Sequence, residues 1–425
     1  MTGQAQYSIM RDVILFAGLA VLIAIIFASQ GTVYSLRVMV EAGCYAIIAL
    51  GLTIQWGYAG LFNVGVMGFI AAGAASSMLI SFPQNPEFWN SAGPSLVGLF
   101  IIKLVLCGVA IWAASKSNRW GVGPKLRTLL IAVAIAVSYL VLSSHMDDMA
   151  REIEQASGWM GGLGLPVMVG WLVAGVVAGV IAWFVGKICL GLRADYLAIA
   201  TLGIAQIIKH FLKNADWMTR GTLTVSPLPW PVTPPADGEF ILARASYLTV
   251  VAIAMVIIYF LLQRAYHAPW GRMMRAIRDN ETASEAMGKD VNRRRLEIFV
   301  LGCVLMGFGG AILIHFASIY DPSGFIDLNH TFLVWVMVIL GGSGNNRGAI
   351  FGAVFVYIVW VMSEPMALWL FSLIGTYGQA WLGWEPPSDL ASRALQMRVF
   401  IIGLTITLVL RFAPQGILPE RQARH

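Results

Sequence analysis

The feature that limits this chain most is the return of apolar stretches close to twenty residues long, as at 13–28, 95–114, 163–185 and 246–262. A helix rises about 1.5 Å per residue, so ~20 residues cross the ~30 Å of hydrocarbon in a bilayer. These stretches read as membrane spans. Composition removes the soluble alternative: 58% of the 425 residues are hydrophobic and 12% are charged, against roughly 25% charge in ordinary soluble domains. The 44 glycines follow no fixed period. They suit helices that pack in lipid, where small residues permit close backbone approach.

Spans are predicted near 13–30, 38–56, 60–80, 95–114, 128–143, 163–185, 197–212, 246–262, 298–318, 331–343, 348–364 and 399–411. Some are short or touch a neighbour, so the expected fold is an all-α polytopic membrane bundle of about 10–12 transmembrane or part-spanning helices. Around 57–60 and 341–348, glycines open the possibility of broken or re-entrant helices. Irregular backbone survives at that depth only when protein or a polar cavity surrounds it. The first run follows a single positive residue, Arg11, and has no clear cleavage signal before the polar turn at 29–31, so it is read as a retained span. Cys44, Cys107, Cys189 and Cys303 show no metal-ligand or disulfide spacing and read as buried filler.

Lys and Arg set the orientation. With the 263–297 loop inside, alternation also places inside the N-terminus, 115–127, 186–196, 341–347 and the C-terminal tail. That side then holds 19 basic residues and the other 7, with Lys103 and Lys209 left within spans. Both termini are therefore expected in the cytoplasm. Outside fall the acidic stretch 145–155, with Asp147, Asp148, Glu152 and Glu154 against Arg151, and the long loop 213–245. Five prolines within 226–235 make that loop an extended, semi-rigid connector or a docking surface for a partner. The external insert 371–397, with Trp381, Trp384, Pro386 and Pro387, reads as an interfacial anchor or a short surface helix.

The richest polar segment is 271–288, GRMMRAIRDNETASEAMG. Arg272, Arg275 and Arg278 recur every three residues, and Met274, Ile277, Ala283 and Met287 supply apolar contacts. The pattern predicts two short helices with one wet and one sticky face, the second stopping at Gly288. Such a pair could fit a groove in a cytosolic protein or rest on lipid. A helix hairpin that ends in glycine, followed by Arg293, Arg294, Arg295 and a new span, resembles the coupling segment of bacterial ABC importer permeases. Glu285, Ala286 and Gly288 occupy the region of its degenerate Glu-Ala-Ala motif and later glycine.

Four further segments narrow the likeness to the permeases of branched-chain amino-acid importers. Residues 49–65, ALGLTIQWGYAGLFNVG, look like the early family signature, and 195–208, DYLAIATLGIAQII, like the central one. Residues 341–353, GGSGNNRGAIFGA, resemble its glycine-rich turn, and 411–417, RFAPQGI, its usual ending. The resemblance covers about 36–418, with 1–35 as an N-terminal segment carrying a leading span, 263–297 as the cytoplasmic coupling loop and 419–425 as a tail.

What the resemblance implies is a non-enzymatic half of an ATP-driven importer in the bacterial inner (cytoplasmic) membrane. Its implied partners are a homologous second permease, two cytosolic ABC ATPases, an external solute-binding protein, lipid and a small solute, with no nucleic acid. A branched-chain amino acid is the first solute implied, with urea and short amides in the family's wider circle. Residues 218–227 lack the family's paired glycines and carry Arg220, and the glycine turn holds Asn345, Asn346 and Arg347. No Gly-x-x-x-x-Gly-Lys-Ser/Thr loop is present, so the chain is expected to bind no cofactor, with ATP used by the partner ATPases. An ion-coupled secondary transporter is the alternative from a different class.

Individual residues extend these expectations. Gln55 and Asn63 flank the first break and could hydrogen-bond a zwitterionic or amide solute. Thr201 and Gln206 share a span but, five residues apart, no clean face. These four are the candidate substrate-path residues. Arg272, Arg275, Arg278, Glu285, Ala286 and Gly288 are the candidate ATPase-coupling residues. Gly57, Gly60, Gly341, Gly342, Gly344 and Gly348 are predicted to form tight turns. Arg37 and Glu41 have ion-pair spacing, and His210 and His315 stand alone, so no metal site is expected.

Overall fold

The computed structural model describes residues 2–117, 123–232, 240–382 and 390–420, with side chains apart from those of 2–9, 378–382, 390–391 and 393–395. The described residues form helices and two isolated bridges between extended pairs, with no sheet among them. Among the described residues, eight helices are long and apolar enough to cross a membrane. In chain order the bundle begins with α1 (Thr2–Gln30), α2 (Thr32–Thr53) and α3 (Val66–Ser81). There follow α4 (Pro86–Trp89), α5 (Gly93–Ser115), α6 (Pro124–Ser157), α7 (Val167–Cys189), α8 (Ala194–Asn214) and α9 (Asp216–Thr219). The second half contains α10 (Phe240–His267), α11 (Pro269–Asp279), α12 (Glu281–Ala286), α13 (Val291–Ala317), α14 (Leu333–Gly341), α15 (Asn346–Leu382) and α16 (Leu390–Phe412).

Helices α2, α3, α7 and α13 form the centre, because their glycines and alanines let backbones meet. A Cβ on Gly73 of α3 would lie 2.4 Å from the Gly307 Cα of α13, and one on Gly51 of α2 would lie 2.6 Å from the Gly302 carbonyl. In lipid no hydrophobic force draws helices together, so this intimacy supplies the dispersion contacts that hold them. Helices α10, α14 and α15 pack on α2, and α8 packs on α3. The α5–α6 hairpin stands aside: 0% and 6% of their most apolar windows are buried, against 89% for the span containing α2. Its small core lies at one end, where Phe88, Met149, Ile153 and Trp217 meet.

Several sequence boundaries are corrected. The span expected from 60 starts as helix only at Val66, because α2 ends in one π turn, Ile54–Tyr58, and the chain then runs without helix to Gly65. The helix expected at 128–143 is longer, Pro124–Ser157, and the acidic stretch 145–155 is its last part. Helix α15 continues through Pro365 to Leu382, so nearly half of the expected insert 371–397 prolongs it. The residues 383–389, including Trp384, Pro386 and Pro387, lie outside the described residues. Good helix formers on both sides of the one proline, Glu364 before it and Met366 and Ala367 after it, let the helix continue, since neighbouring backbone can adjust around it in a membrane protein.

The proline segment is not a free connector over its described part, 226–232. Val225 pairs with Tyr320 through two backbone hydrogen bonds of 2.9 and 3.0 Å, and Leu228 N donates to Ser318 O at 3.0 Å. Trp230 Nε1 donates to Ser318 Oγ at 2.6 Å. Extended backbone with few internal partners satisfies itself against the turn that follows α13. The predicted ion pair between Arg37 and Glu41 forms at 3.1 Å. His315 is buried with Ser81 Oγ and the Ala311 carbonyl each at 2.7 Å, whereas His210 is exposed.

Candidate functional site

The two helices expected between α10 and α13 form, and local chemistry explains each end. Pro269 starts α11, where its missing N–H would have no intrahelical partner. Gly271, Met274 and Ile277 are buried at three-residue spacing, on one face of the helix. Asn280 caps α12 by accepting from Ala283 N at 2.9 Å. Gly288, with φ +75°, follows the end of α12, and its N–H donates to Glu285 O at 2.9 Å. Arg295 holds Glu281 at 2.6 Å, tying α12 to α13. Arg272, Ala283, Glu285, Ala286, Met287 and Gly288 all face outward, and Met287 is 79% exposed.

Arg275 and Arg278 turn the other way. Arg278 Nη1 donates to the Gly57 carbonyl in the break after α2 and, at 2.9 Å, to Glu420 Oε2. Glu420 Oε1 accepts from Tyr266 OH at 2.7 Å and lies 3.9 Å from Arg275. Arg275 also sits 4.0 Å over the Tyr266 ring. Burial pulls the Arg278 pKa down, and Glu420 together with Asp279 outweighs this, leaving it raised. Glu420 was not legible in the sequence: one acid in a short basic tail has no spacing to mark it.

The C-terminal segment reaches this point as a strap across the glycine turn. Ile417 N and Leu418 N donate to the Leu340 and Gly341 carbonyls at 2.8 and 3.1 Å, and Asn345 Nδ2 donates to Leu418 O at 2.9 Å. Glycine is required where these backbones touch. A Cβ on Gly57 would lie 2.2 Å from Gly344 N, and one on Gly341 would lie 2.0 Å from Gly348 O. Gly342 and Gly344 have φ of +109° and +84°. The residues that depart from the family turn act as polar fasteners: Asn346 Oδ1 accepts from Tyr58 OH at 2.8 Å, and Arg347 Nε donates to Tyr259 OH at 3.1 Å. A cavity of about 370 Å³ opens here, lined in part by Asp12, His267, Arg275, Arg347 and Glu420.

The candidate path residues divide. Gln55 and Asn63 are fully buried and bonded to each other, Asn63 Nδ2 to Gln55 Oε1 at 2.9 Å. Gln55 Nε2 donates to Phe299 O at 2.7 Å, and Asn63 Oδ1 accepts from Gly65 N at 2.9 Å. Thr201 Oγ1 accepts from Val64 N at 3.1 Å, and Trp335 Nε1 donates to Asn63 O at 3.0 Å. These contacts satisfy the backbone opened by the break. Gln206 is elsewhere: its Nε2 donates to Asp327 Oδ2 at 2.5 Å. Asp327, which sequence reasoning passed over, precedes a π turn that no local spacing signals. Among the described residues no group of three or more His, Cys, Asp or Glu is placed to hold a metal.

A profile of the family described as branched-chain amino acid transport system / permease component matches residues 34–410. The "probable branched-chain amino acid transport permease protein LivM" of Methanocaldococcus jannaschii is 22% identical over 386 residues, 89% of this chain and 91% of that protein. The "high-affinity branched-chain amino acid transport system permease protein LivM" of Escherichia coli is 24% identical over 253 residues, 53% of this chain and 58% of that protein. A third relative, the "probable branched-chain amino acid transport permease protein LivH" of M. jannaschii, is 25% identical over 248 residues, 56% of this chain and 72% of that protein. No solved structure matches. With the profile covering most of its length, the chain belongs to the permease-component family of branched-chain amino acid transport systems.

Proposed function

We propose that this chain is the transmembrane permease subunit of an ATP-driven importer for branched-chain amino acids in a bacterial inner membrane. It pairs with a homologous permease, receives solute from an external binding protein and couples to two cytosolic ATPases through 271–288. The observation that carries this reading is the family match over 34–410 joined to an amphipathic helix pair whose outer side is exposed and whose inner side grips the break at Gly57. A push on the α11–α12 pair has a short path into the bundle: Arg278 to the Gly57 carbonyl, and Glu420 to the strap across the glycine turn. The chain's part is mechanical, to hold two access states and let another protein's nucleotide cycle choose between them.

The test is solute-stimulated ATP hydrolysis by the reconstituted complex, with the binding protein offered leucine, urea, short amides or sugars. Leucine is expected to stimulate. Stimulation by urea and not by leucine would replace the solute and leave the importer role, while uptake driven by an ion gradient without an ATPase would remove both.

A further inference from the structure

Helix α8 differs from the other helices at the edge of the bundle. One side is fixed on α3: Leu197, Thr201 and Ala205 are buried, and a Cβ on Gly68 would lie 2.6 Å from the Ala205 Cα. The opposite side is open, and besides Ile199, Ile207 and Phe211 it carries the exposed His210 and Asn214. Gln206 and Lys209 are half-buried between the two. A cavity of about 460 Å³ lies against this outer half, between α8 and α6, lined in part by Met146, Gln206, His210, Phe211 and Trp217. Most of this lining is apolar, and Gln206 is its polar member away from the last turn of α8.

Gln206 joins the cavity to Asp327. Its amide donates to Asp327 Oδ2, while Asp327 Oδ1 is buried with no hydrogen-bond partner among the described residues. Both residues lie roughly 20 Å along their helices from the coupling-helix end, at 1.5 Å per residue, and so within the hydrocarbon thickness. A carboxylate at that depth with half its accepting capacity unused is costly, since each buried acceptor left unpaired forfeits its hydration. Three residues beyond Gln206, Lys209 makes no ion pair among the described residues.

From this juxtaposition we infer that Asp327 and Gln206 form a recognition point on the solute path for the ammonium group of an α-amino acid. The inference rests on the importer reading and deepens it by assigning the selection of amine-bearing solutes to this permease. The Gln206 amide covers the carboxylate at rest. An ammonium group entering the cavity displaces that amide and donates charge-assisted hydrogen bonds to the Asp327 carboxylate. Lys209, on the same helix at i+3, supplies the charge that complements the solute carboxylate. A neutral urea or amide finds no counter-charge of its own here.

The experiment uses proteoliposomes holding the complete importer with its loaded binding protein. Asp327→Asn is expected to cut leucine uptake about tenfold, as loss of a charge-assisted bond in a water-poor site does, and Asp327→Glu to retain most of it. Leucine uptake at the wild-type rate by Asp327→Asn overturns the inference and leaves the importer reading intact. A wild-type complex that moves urea and not leucine overturns the solute reading and this role together. A second measurement leaves Asp327 unchanged and so covers failure of the variants to assemble. His210→Cys is reacted with a membrane-impermeant thiol reagent, and leucine-loaded binding protein with ATP is expected to slow the reaction severalfold. Equal rates with and without loaded binding protein overturn the inference.

Discussion

Gly57 and Gly60 lie three residues apart and need glycine for different reasons. Gly57 needs space, since a Cβ there would press on the backbone of Gly344. Gly60 needs conformation, with φ +66° and its nearest foreign atom, Arg278 Cγ, at 3.4 Å. Gly57→Ala is expected to lower stability by about 1–3 kcal/mol through overpacking, and Gly60→Ala by about 1 kcal/mol through backbone strain. Thermal unfolding of the purified chain in detergent checks both, and an unchanged transition for Gly57→Ala would contradict the contact with Gly344. Asn63 is similar in kind: Asn63→Ala leaves Gln55 Oε1 and Gly65 N without their partner, which costs about 1–3 kcal/mol for each buried group left unsatisfied. The same unfolding measurement tests it. The sequence marks these glycines and amides as unusual at membrane depth. It does not reveal what they touch, because Gly344 and Phe299 come from parts of the chain more than two hundred residues away.

At the scale of elements, the α11–α12 pair was legible because its signals are local: proline at the start, a three-residue apolar spacing, an Asn cap and a glycine stop. Helix α15 was not, because Pro365 reads as a boundary and only the surrounding bundle allows the helix to pass it. The tail strap was equally hidden, since its bonds go from backbone to backbone and carry no side-chain signature. Two predictions belong here. Met287→Glu places a charge on the most exposed apolar side chain of the pair and is expected to strip the ATPase from the purified complex without changing the permease's own unfolding. Retention of the ATPase would move its contact elsewhere. Arg278→Ala breaks the link between α11, the Gly57 carbonyl and Glu420, and is expected to leave ATP hydrolysis running while solute uptake falls. Parallel loss of both activities would make Arg278 a docking residue instead of a transmitting one.

For the whole molecule, the hydropathy pattern carries the fold class, since few architectures satisfy every backbone polar group in lipid. Assembly of the distant segments is what it lacks. The break at Gly57, the glycine turn, the coupling pair and the tail meet at one end of the bundle, and Asp12 of α1 approaches Arg347 there at 3.7 Å. The strap over Ser318 and Tyr320 lies at the other end of α13. This division gives the protein a mechanical polarity, with the segments able to receive a push gathered opposite the proline strap. The central claim is that the α11–α12 end faces the cytosol and bears on a motor. The direct measurement is thiol labelling of Met287→Cys, in a background with the half-exposed Cys107 replaced, in vesicles of both orientations. The account predicts labelling from the cytoplasmic side alone, with protection when the ATPase is bound, and labelling from the external side would contradict it.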